Sequence, residues 1–227
     1  RRQRQMCIRD RPWLAVARTS RITSGALIRA SVPLSESAAL ESGEAMLTSD
    51  TTVTWDGGKV RGRRVLRLGA IELSSTPVRP DPVRARHVAL EAVRSGGLDV
   101  ASLTKNAESL RRRLALAHRV FGDPWPDVSD EALLARAEEW LDLDALAAGR
   151  GSDATSGLRG LLGWRESARL DEVVPETITV PSGSRIRIDY PEPGSDTSPV
   201  LAVKLQECFG WADGPTVCDG RVRVVLH

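Results

Sequence analysis

Apolar and polar residues alternate through the first third of the chain, at the period expected of half-buried β-strands. The turn sequence Asp56-Gly57-Gly58 separates two of these runs and is typical of a tight β-hairpin. Ser35 can cap a short helix over residues 35–47, which carries apolar residues along one side. The predicted strands are 13–17, 26–32, 51–55 and 60–73. Strands around one short helix favour a small β-barrel of the oligonucleotide-binding type.

The pattern changes to the period of amphipathic helices near residue 81. Asp81-Pro82 predicts a helix start, and Gly96-Gly97 predicts its end. Apolar residues of the next helix recur at spacings of four and three, which places them on one face, with Arg111, Arg112 and Arg119 directed elsewhere. That stripe comprises Leu103, Ala107, Leu110, Leu114, Ala117 and Phe121. Ser129 is predicted to cap another helix, and residues 164–174 are predicted to be helical up to Pro175.

The remaining segments complete an α+β pattern. The Gly- and Ser-rich residues 147–163 are predicted to be a loop with about one helical turn. From residue 176 the period becomes two, which predicts strands at 177–180, 185–190, 200–203 and 221–227. Trp140 and Trp164 are expected in the core, and Trp125 is expected to pack. The predicted organisation is a leader at 1–11, an oligonucleotide-binding-like barrel at 12–80, a helical segment at 81–174 and a second, truncated β-rich domain at 175–227.

Composition limits the class of protein. The chain has 227 residues and a formal charge of +2. Residues 1–11 hold five Arg and one Asp, so they carry +4 and leave −2 for the rest. We interpret this leader as non-native sequence; the alternative is a genuine basic arm. Three cysteines without a C-x-x-C pair favour neither disulfides nor zinc, and no apolar run reaches membrane-spanning length, so a cytoplasmic location is expected.

A dense cationic run follows the hairpin turn and is the first candidate nucleic-acid contact. The segment 56–119 that contains it has 14 basic and 6 acidic residues. Basic grooves that follow a nucleic-acid backbone have this character, although charged runs are also common on solvated faces. Trp55 is the nearby aromatic residue, so support for base stacking is thin. The cations of this run are Lys59, Arg61, Arg63, Arg64 and Arg67.

Arg185 and Arg187 form the second candidate contact. Strand alternation places both on one face with Asp189, and puts Ile186, Ile188 and Tyr190 on the other. Residues two apart on a strand are separated by about 7 Å, a spacing that suits successive phosphates. The alternative is that Arg187 pairs with Asp189 or with a neighbouring strand.

Catalytic groups are not evident in the pattern. The eight acidic residues between 123 and 144 have cap and solvation roles, and they could pair with the preceding basic segment. Histidines and cysteines show no nucleophile-and-base order. No G-x-x-x-x-G-K-[ST] loop or DExH box occurs, so we expect no ATP hydrolysis by this chain alone. Catalytic, metal-binding and cofactor-binding residues are all predicted to be absent.

Three segments, 122–136, 180–190 and 200–210, resemble the C-terminal region of the bacterial HrpB-type ATP-dependent RNA helicases of the DExH family. The resemblance implies an accessory region that follows two RecA-like motor domains. It also implies that related helicases carry an oligonucleotide-binding barrel after a helical ratchet domain. ATP and magnesium would then be bound by the motor of a longer parent, of which both ends are truncated here.

The resemblance and the cations together predict single-stranded nucleic-acid binding, to RNA or DNA, and scaffolding for the absent motor. The competing hypothesis is a protein-interaction module that docks on the motor or on another partner without contacting RNA. A membrane partner is not expected.

Overall fold

The computed structural model describes residues 13–22, 25–151 and 154–227, which form two compact units. The N-terminal β unit comprises the described residues up to Thr52 together with Gly62–Arg79. The main unit comprises Val53–Arg61 and Pro80–His227, so the helical segment and the last β-rich segment belong to one unit. The predicted leader at residues 1–11 lies outside the described residues.

Strands β1–β5 and helix α1 precede the long helices of the chain. Ser35 caps α1 as predicted, because its hydroxyl accepts a hydrogen bond from the backbone N–H of Ala38 at 3.2 Å. At the end of α1, an added Cβ on Gly43 would come within 2.5 Å of Leu68 Cδ1, so a side chain there would disturb this contact. The elements are β1 (Leu14–Ile22), β2 (Gly25–Pro33), α1 (Glu36–Ser42), β3 (Leu47–Asp56), β4 (Lys59–Leu68) and β5 (Ile71–Val78).

These strands form two separate sheets, and the expected oligonucleotide-binding barrel is not confirmed. β1 and β2 pair with each other, while β3, β4 and β5 form a three-stranded antiparallel sheet. Within the described residues no strand pairing joins the two sheets. The exposure of β2 along nearly its whole length explains the difference, because a closed barrel buries alternate side chains of each strand.

Two glycine turns define the second sheet. Gly57 and Gly58 have φ values of 57° and 79°, the left-handed pair that a tight hairpin between β3 and β4 requires. This confirms the predicted turn. The single strand predicted over residues 60–73 was wrong, because the chain reverses at Gly69, whose φ is 58°, and continues as β5.

Seven helices supply most of the core of the main unit. Asp81 and Ser129 cap α2 and α4 as predicted, since their side-chain oxygens accept from the N–H of Arg84 at 2.9 Å and of Ala132 at 3.3 Å. The predicted apolar stripe of α3 is buried at Ala107, Leu110, Leu114 and Ala117. The helices are α2 (Pro82–Gly96), α3 (Lys105–Phe121), α4 (Asp130–Ala135), α5 (Ala137–Trp140), α6 (Leu143–Ala147), α7 (Ala154–Gly160) and α8 (Trp164–Val173).

Two helical predictions differ from the structure. Residues 154–160 form α7, a helix of 7 residues, where we expected a loop with about one helical turn, because tertiary packing overrides the weak helix propensity of Gly and Ser. Gly157 of α7 lies so close to α5 that an added Cβ would be 1.7 Å from the carbonyl oxygen of Trp140. Trp140 and Trp125 are buried as expected, whereas Trp164 is 78% exposed, with Arg165 over its ring.

The C-terminal strands are short and lie against the helices of the main unit. A four-stranded sheet has the order β11-β8-β7-β6, in which β11 is parallel to β8, and β9 and β10 form a separate antiparallel pair. No helix of the described part of the chain is long and apolar enough to cross a membrane. The strands are β6 (Thr177–Thr179), β7 (Arg185–Asp189), β8 (Val200–Leu201), β9 (Thr216–Val217), β10 (Val222–Arg223) and β11 (Val225–Leu226).

Candidate nucleic-acid interface

The alternation predicted for β7 is present. Ile188 and the adjoining Tyr190 are buried in the core, while Arg185, Arg187 and Asp189 are exposed on the opposite face. The Tyr190 hydroxyl donates to the carbonyl oxygen of Pro175 at 2.7 Å, which anchors the end of the strand. Burial raises the pKa of Tyr190 well above its ordinary value, so the phenol stays protonated.

The two arginines of β7 differ in their partners. Arg187 pairs with Glu176 at 3.0 Å, and both side chains are about half exposed. The side chain of Arg185 has no hydrogen-bond or ion-pair partner among the residues that the structure describes. The alternative that Arg187 pairs with Asp189 or with a neighbouring strand holds in its second form, because Glu176 directly precedes β6, the strand paired with β7.

An open groove, the α3–β7 groove, runs between the first turns of α3 and strand β7. It has a volume of about 570 Å³. Arg187 is the one arginine of β7 that reaches it, and Arg185 lies instead beside Glu176 and Thr177. The lining residues are Leu103, Lys105, Glu108, Ser109, Arg112, Arg187, Ile188, Asp189 and Tyr190.

Arg112 organises the acidic side chains along this groove. Its guanidinium lies 3.9 Å from Glu108 and 3.6 Å from Asp189, and it also binds Glu192. These contacts tie α3 to β7 and to the loop that follows β7. The Nε of Arg112 is buried without an acceptor in the described part of the chain. One guanidinium thus faces three carboxylates, so Arg112 by itself leaves two of these negative charges unbalanced.

The predicted cationic run of β4 divides between the two units. Lys59 and Arg61 lie on the hairpin tip, which is counted with the main unit because Val60 is buried in its core and Trp55 packs there. Trp55 is partly buried against this core, which leaves less of its ring open for stacking. Arg61 pairs with Asp56 at 2.8 Å, whereas Lys59 has no ion-pair partner within the described ranges.

The other three cations of the run belong to the N-terminal β unit. Arg63 donates to the Ser75 hydroxyl at 3.3 Å, and Arg67 lies 3.8 Å from Glu72 on the adjacent strand. Arg64 is exposed, and no side chain of the described residues bonds to it. Alternation along β4 puts Arg64 on the face opposite Arg63. The run is thus not one continuous basic stripe.

Two of the arginines that α3 contributes to the basic segment 56–119 are buried. Arg111 donates through Nε to the carbonyl oxygen of Val128 at 2.9 Å and also binds Asp130. Arg113, which is 3% exposed, donates to the carbonyl oxygen of Val174 and binds Asp171. Buried guanidinium groups must satisfy their donors internally, so these two serve the fold.

Pairing between the basic and acidic segments is also structural. Arg86 binds Asp144 with two nitrogens, and Arg94 lies 3.5 Å from Glu138. The Arg86 hydrogen bonds lower the pKa of the Asp144 carboxyl. Hydrogen bonding from the Ser129 backbone likewise lowers the pKa of Asp127 at the start of α4. These carboxylates are held ionised as partners of arginines and helix termini.

The turn Gly57-Gly58-Lys59 differs in geometry from a loop that binds nucleotide phosphates. Gly57-Gly58-Lys59 joins two antiparallel strands, whereas a phosphate-binding loop joins a strand to a helix. Among the residues described, no group of three or more His, Cys, Asp or Glu side chains could hold a metal ion.

Lys105 and Ser109 are groove residues that the sequence did not single out. Both lie in the first turns of α3, after the Thr104 cap, and the opposite wall of the groove comes from residues about 80 positions later in the chain. A local pattern carries no signal for such a pairing. Their role becomes visible only through the contact between α3 and β7.

The family described as ATP-dependent helicase C-terminal, HrpB_C, matches residues 137–227. The chain is also 38% identical, over 191 residues, to the ATP-dependent RNA helicase HrpB of Escherichia coli, a match that covers 80% of this chain and 23% of the relative. It is a C-terminal HrpB-type helicase region.

Solved structures agree with this assignment to the HrpB-type family. The crystal structure of the E. coli DExH-box NTPase HrpB matches with a TM-score of 0.60 and 34% identity, over 95% of this chain and 28% of that one. A structure of the E. coli DEAH/RHA helicase HrpB matches with a TM-score of 0.59 and 34% identity, over 97% and 28%. The chain thus spans about a quarter of the length of these HrpB relatives.

Proposed function

We propose that this chain is the accessory part of an ATP-dependent helicase that binds single-stranded RNA or DNA and provides a scaffold for the motor. The motor, and the ATP and magnesium that it uses, would lie in the remaining three quarters of the HrpB-type parent. The observation that carries the proposal is the exposed face of β7, where Arg185 and Arg187 stand two residues apart.

Physical arguments support strand binding at this face. Guanidinium groups bind phosphate oxygens through paired N–H donors, and Arg185 has no competing carboxylate bound to it within the described residues. The ion pair of Arg187 with Glu176 is exposed on both sides, so it is weak and can be exchanged for a phosphate. Lys59 and Arg64 provide additional unpaired charge elsewhere on the chain.

The test is fluorescence anisotropy of a labelled single-stranded RNA over a salt series. All proteins should carry Gln in place of the five leader arginines, because that basic segment would bind RNA unspecifically. Replacing both Arg185 and Arg187 with Ala should weaken binding and reduce the salt slope by about 1.4, since each phosphate contact on a single strand contributes about 0.7. Unchanged affinity in the double variant would refute this site.

Exposed apolar residues favour protein docking as a second candidate function. Leu205 and Phe209, in and after the short 3-10 turn Leu205–Cys208, are 74% and 69% exposed. Side chains of this size on a surface often mark a binding site for another protein. Under this hypothesis the chain binds no RNA at low salt. It would instead associate with the portion of E. coli HrpB that it does not cover, and Leu205→Ser with Phe209→Ser would abolish that association.

A further inference from the structure

Hydrogen-bond donors meet across the α3–β7 groove. Lys105 and Ser109 project from α3, and Arg187 lies on the β7 side. Lys105 is exposed and has no ion-pair partner within residues 13–22, 25–151 and 154–227. The volume of about 570 Å³ falls within the range of roughly 300–1,000 Å³ that is usual for ligand sites.

The carboxylates of the groove are already engaged. Glu108 and Asp189 both lie within 4 Å of the Arg112 guanidinium, at 3.9 and 3.6 Å. The charged lining residues are Lys105, Arg112 and Arg187 against Glu108 and Asp189, which leaves one net positive charge for a ligand once Arg187 exchanges Glu176 for it. A ligand that suits this arrangement carries negative charge and accepts hydrogen bonds without donating them. A phosphodiester group has both properties.

We propose that the α3–β7 groove holds a backbone phosphate of a bound single strand, with Lys105 and Ser109 on one side and Arg187 on the other. The inference rests on the strand binding proposed above and adds α3 to the contact surface. A strand laid along β7 would pass Arg185, then Arg187, and would then meet Lys105 across the groove. Glu108 is the residue that opposes this occupant, through its negative charge.

The site should recognise the backbone and not the base. Tyr190 and Ile188, which form the floor of the groove, are buried in the core and present no open aromatic face for stacking. An abasic oligodeoxynucleotide keeps the phosphates and lacks the bases. Its binding affinity should therefore depend on Lys105 as strongly as that of an RNA of the same length.

The experiment compares three single variants in the full chain with the leader arginines replaced by Gln. Lys105→Gln should weaken binding of both labelled strands about fivefold to tenfold at low salt and reduce the salt slope by about 0.7. Glu108→Gln should strengthen binding, because it removes a negative charge beside the phosphate. Lys204→Gln removes an equal charge outside the groove and should change affinity less than twofold.

Opposite changes in affinity for Lys105→Gln and Glu108→Gln cannot arise from a general loss of folding. Circular dichroism of each variant checks that it is folded. Equal effects of Lys105→Gln and Lys204→Gln would overturn the groove site while leaving strand binding at β7 intact, provided that the Arg185 and Arg187 double variant still loses affinity. If Lys105→Gln weakens binding of the RNA but leaves binding of the abasic strand unchanged, the assignment of the groove to a phosphate would be overturned. If the chain that carries only the leader substitutions binds neither strand, both the proposed function and this inference fail.

Discussion

Arginines serve two distinct purposes at the scale of single residues. Arg111 and Arg113 are buried and donate to backbone carbonyls of Val128 and Val174, whereas Arg185 is exposed and unpaired within the described residues. The sequence Arg111-Arg112-Arg113 looks like a basic surface patch, yet its first and third residues are buried and only the middle one lines the α3–β7 groove. Charge density along a sequence therefore overestimates the charge available to a ligand.

Arg113→Met should destabilise the main unit by about 1–3 kcal/mol, because the Val174 carbonyl loses its buried donor. Asp171→Asn, which removes the other partner of Arg113, should cost at most about 1 kcal/mol since that carboxylate is largely exposed. Urea denaturation followed by circular dichroism measures both. Equal losses in the free energy of unfolding for the two variants would show that the hydrogen bond from Arg113 to the Val174 carbonyl is not what stabilises the fold.

Tyr190 should make the stability of the protein fall at alkaline pH. Its folded pKa is raised above the ordinary value of about 10, so its contribution is complete below pH 10 and declines as pH rises, because the unfolded chain loses the proton first. Burial also raises the pKa of Cys218 to about 11, which acts in the same direction from about pH 9 upward. Tyr190→Phe should cost about 1 kcal/mol at pH 8 and make the alkaline decline shallower.

Denaturation at several pH values between 8 and 11 tests this prediction. Tyr190 is the single tyrosine of the chain, so ultraviolet absorbance reports its ionisation directly. Ionisation of the folded protein at the pH of a free phenol would show that the side chain is not buried.

Close approach of helices matters more than helix propensity at the scale of elements. α7 consists largely of residues with weak helix preference, and it contains two glycines within seven positions. Gly157 permits contact with the Trp140 carbonyl of α5, and Leu158 of α7 is fully buried. The Gly- and Ser-rich composition that predicted a loop is therefore what allows this helix to pack.

Gly157→Ala should destabilise the main unit by about 3 kcal/mol, because its Cβ would overlap the Trp140 carbonyl oxygen and the two helices must separate. Gly160→Ala provides the matched control in the same helix. No heavy atom lies within 4 Å of its added Cβ, so it should be neutral or stabilise by up to about 1 kcal/mol. Thermal unfolding distinguishes the two, and equal shifts in Tm would contradict the packing argument.

At the scale of the whole molecule, the charge distribution separates a basic leader from a nearly balanced remainder. The described residues pair many of their cations, as at Arg61, Arg86 and Arg112, so net charge is a poor guide to strand binding. The two compact units each hold part of the predicted cationic run. Strand contact would depend on a few unpaired groups and not on a general positive field.

The leader should dominate the salt dependence of the unmodified chain. Restoring its five arginines to the Gln-substituted protein should increase the magnitude of the salt slope for single-stranded RNA by up to about 3.5, at about 0.7 for each phosphate contact. Anisotropy titrations of the two proteins over one salt series measure this. Identical slopes would show that the leader makes no contact with RNA.

Pattern and spacing along the chain were enough to predict helices α2, α3 and α4, the caps of α2 and α4, and the resemblance to the family. Asp81, Ser129 and the stripe of α3 act through neighbours within one or two helical turns, and the resemblance rests on short contiguous segments. Local interactions of this kind are encoded locally, so pattern and spacing suffice to predict them.

Which cationic side chains are open to a ligand depends on tertiary contacts. Arg111, Arg113 and Lys105 differ little in sequence context, but the first two meet carbonyl groups from distant segments and the third faces an open groove. The N-terminal strands are a second case, because each pairs only with a strand next to it in the chain, and the described residues lack the long-range pairing that would close the expected barrel. Burial and pairing depend on contacts between residues far apart in the chain, and no local pattern carries that information.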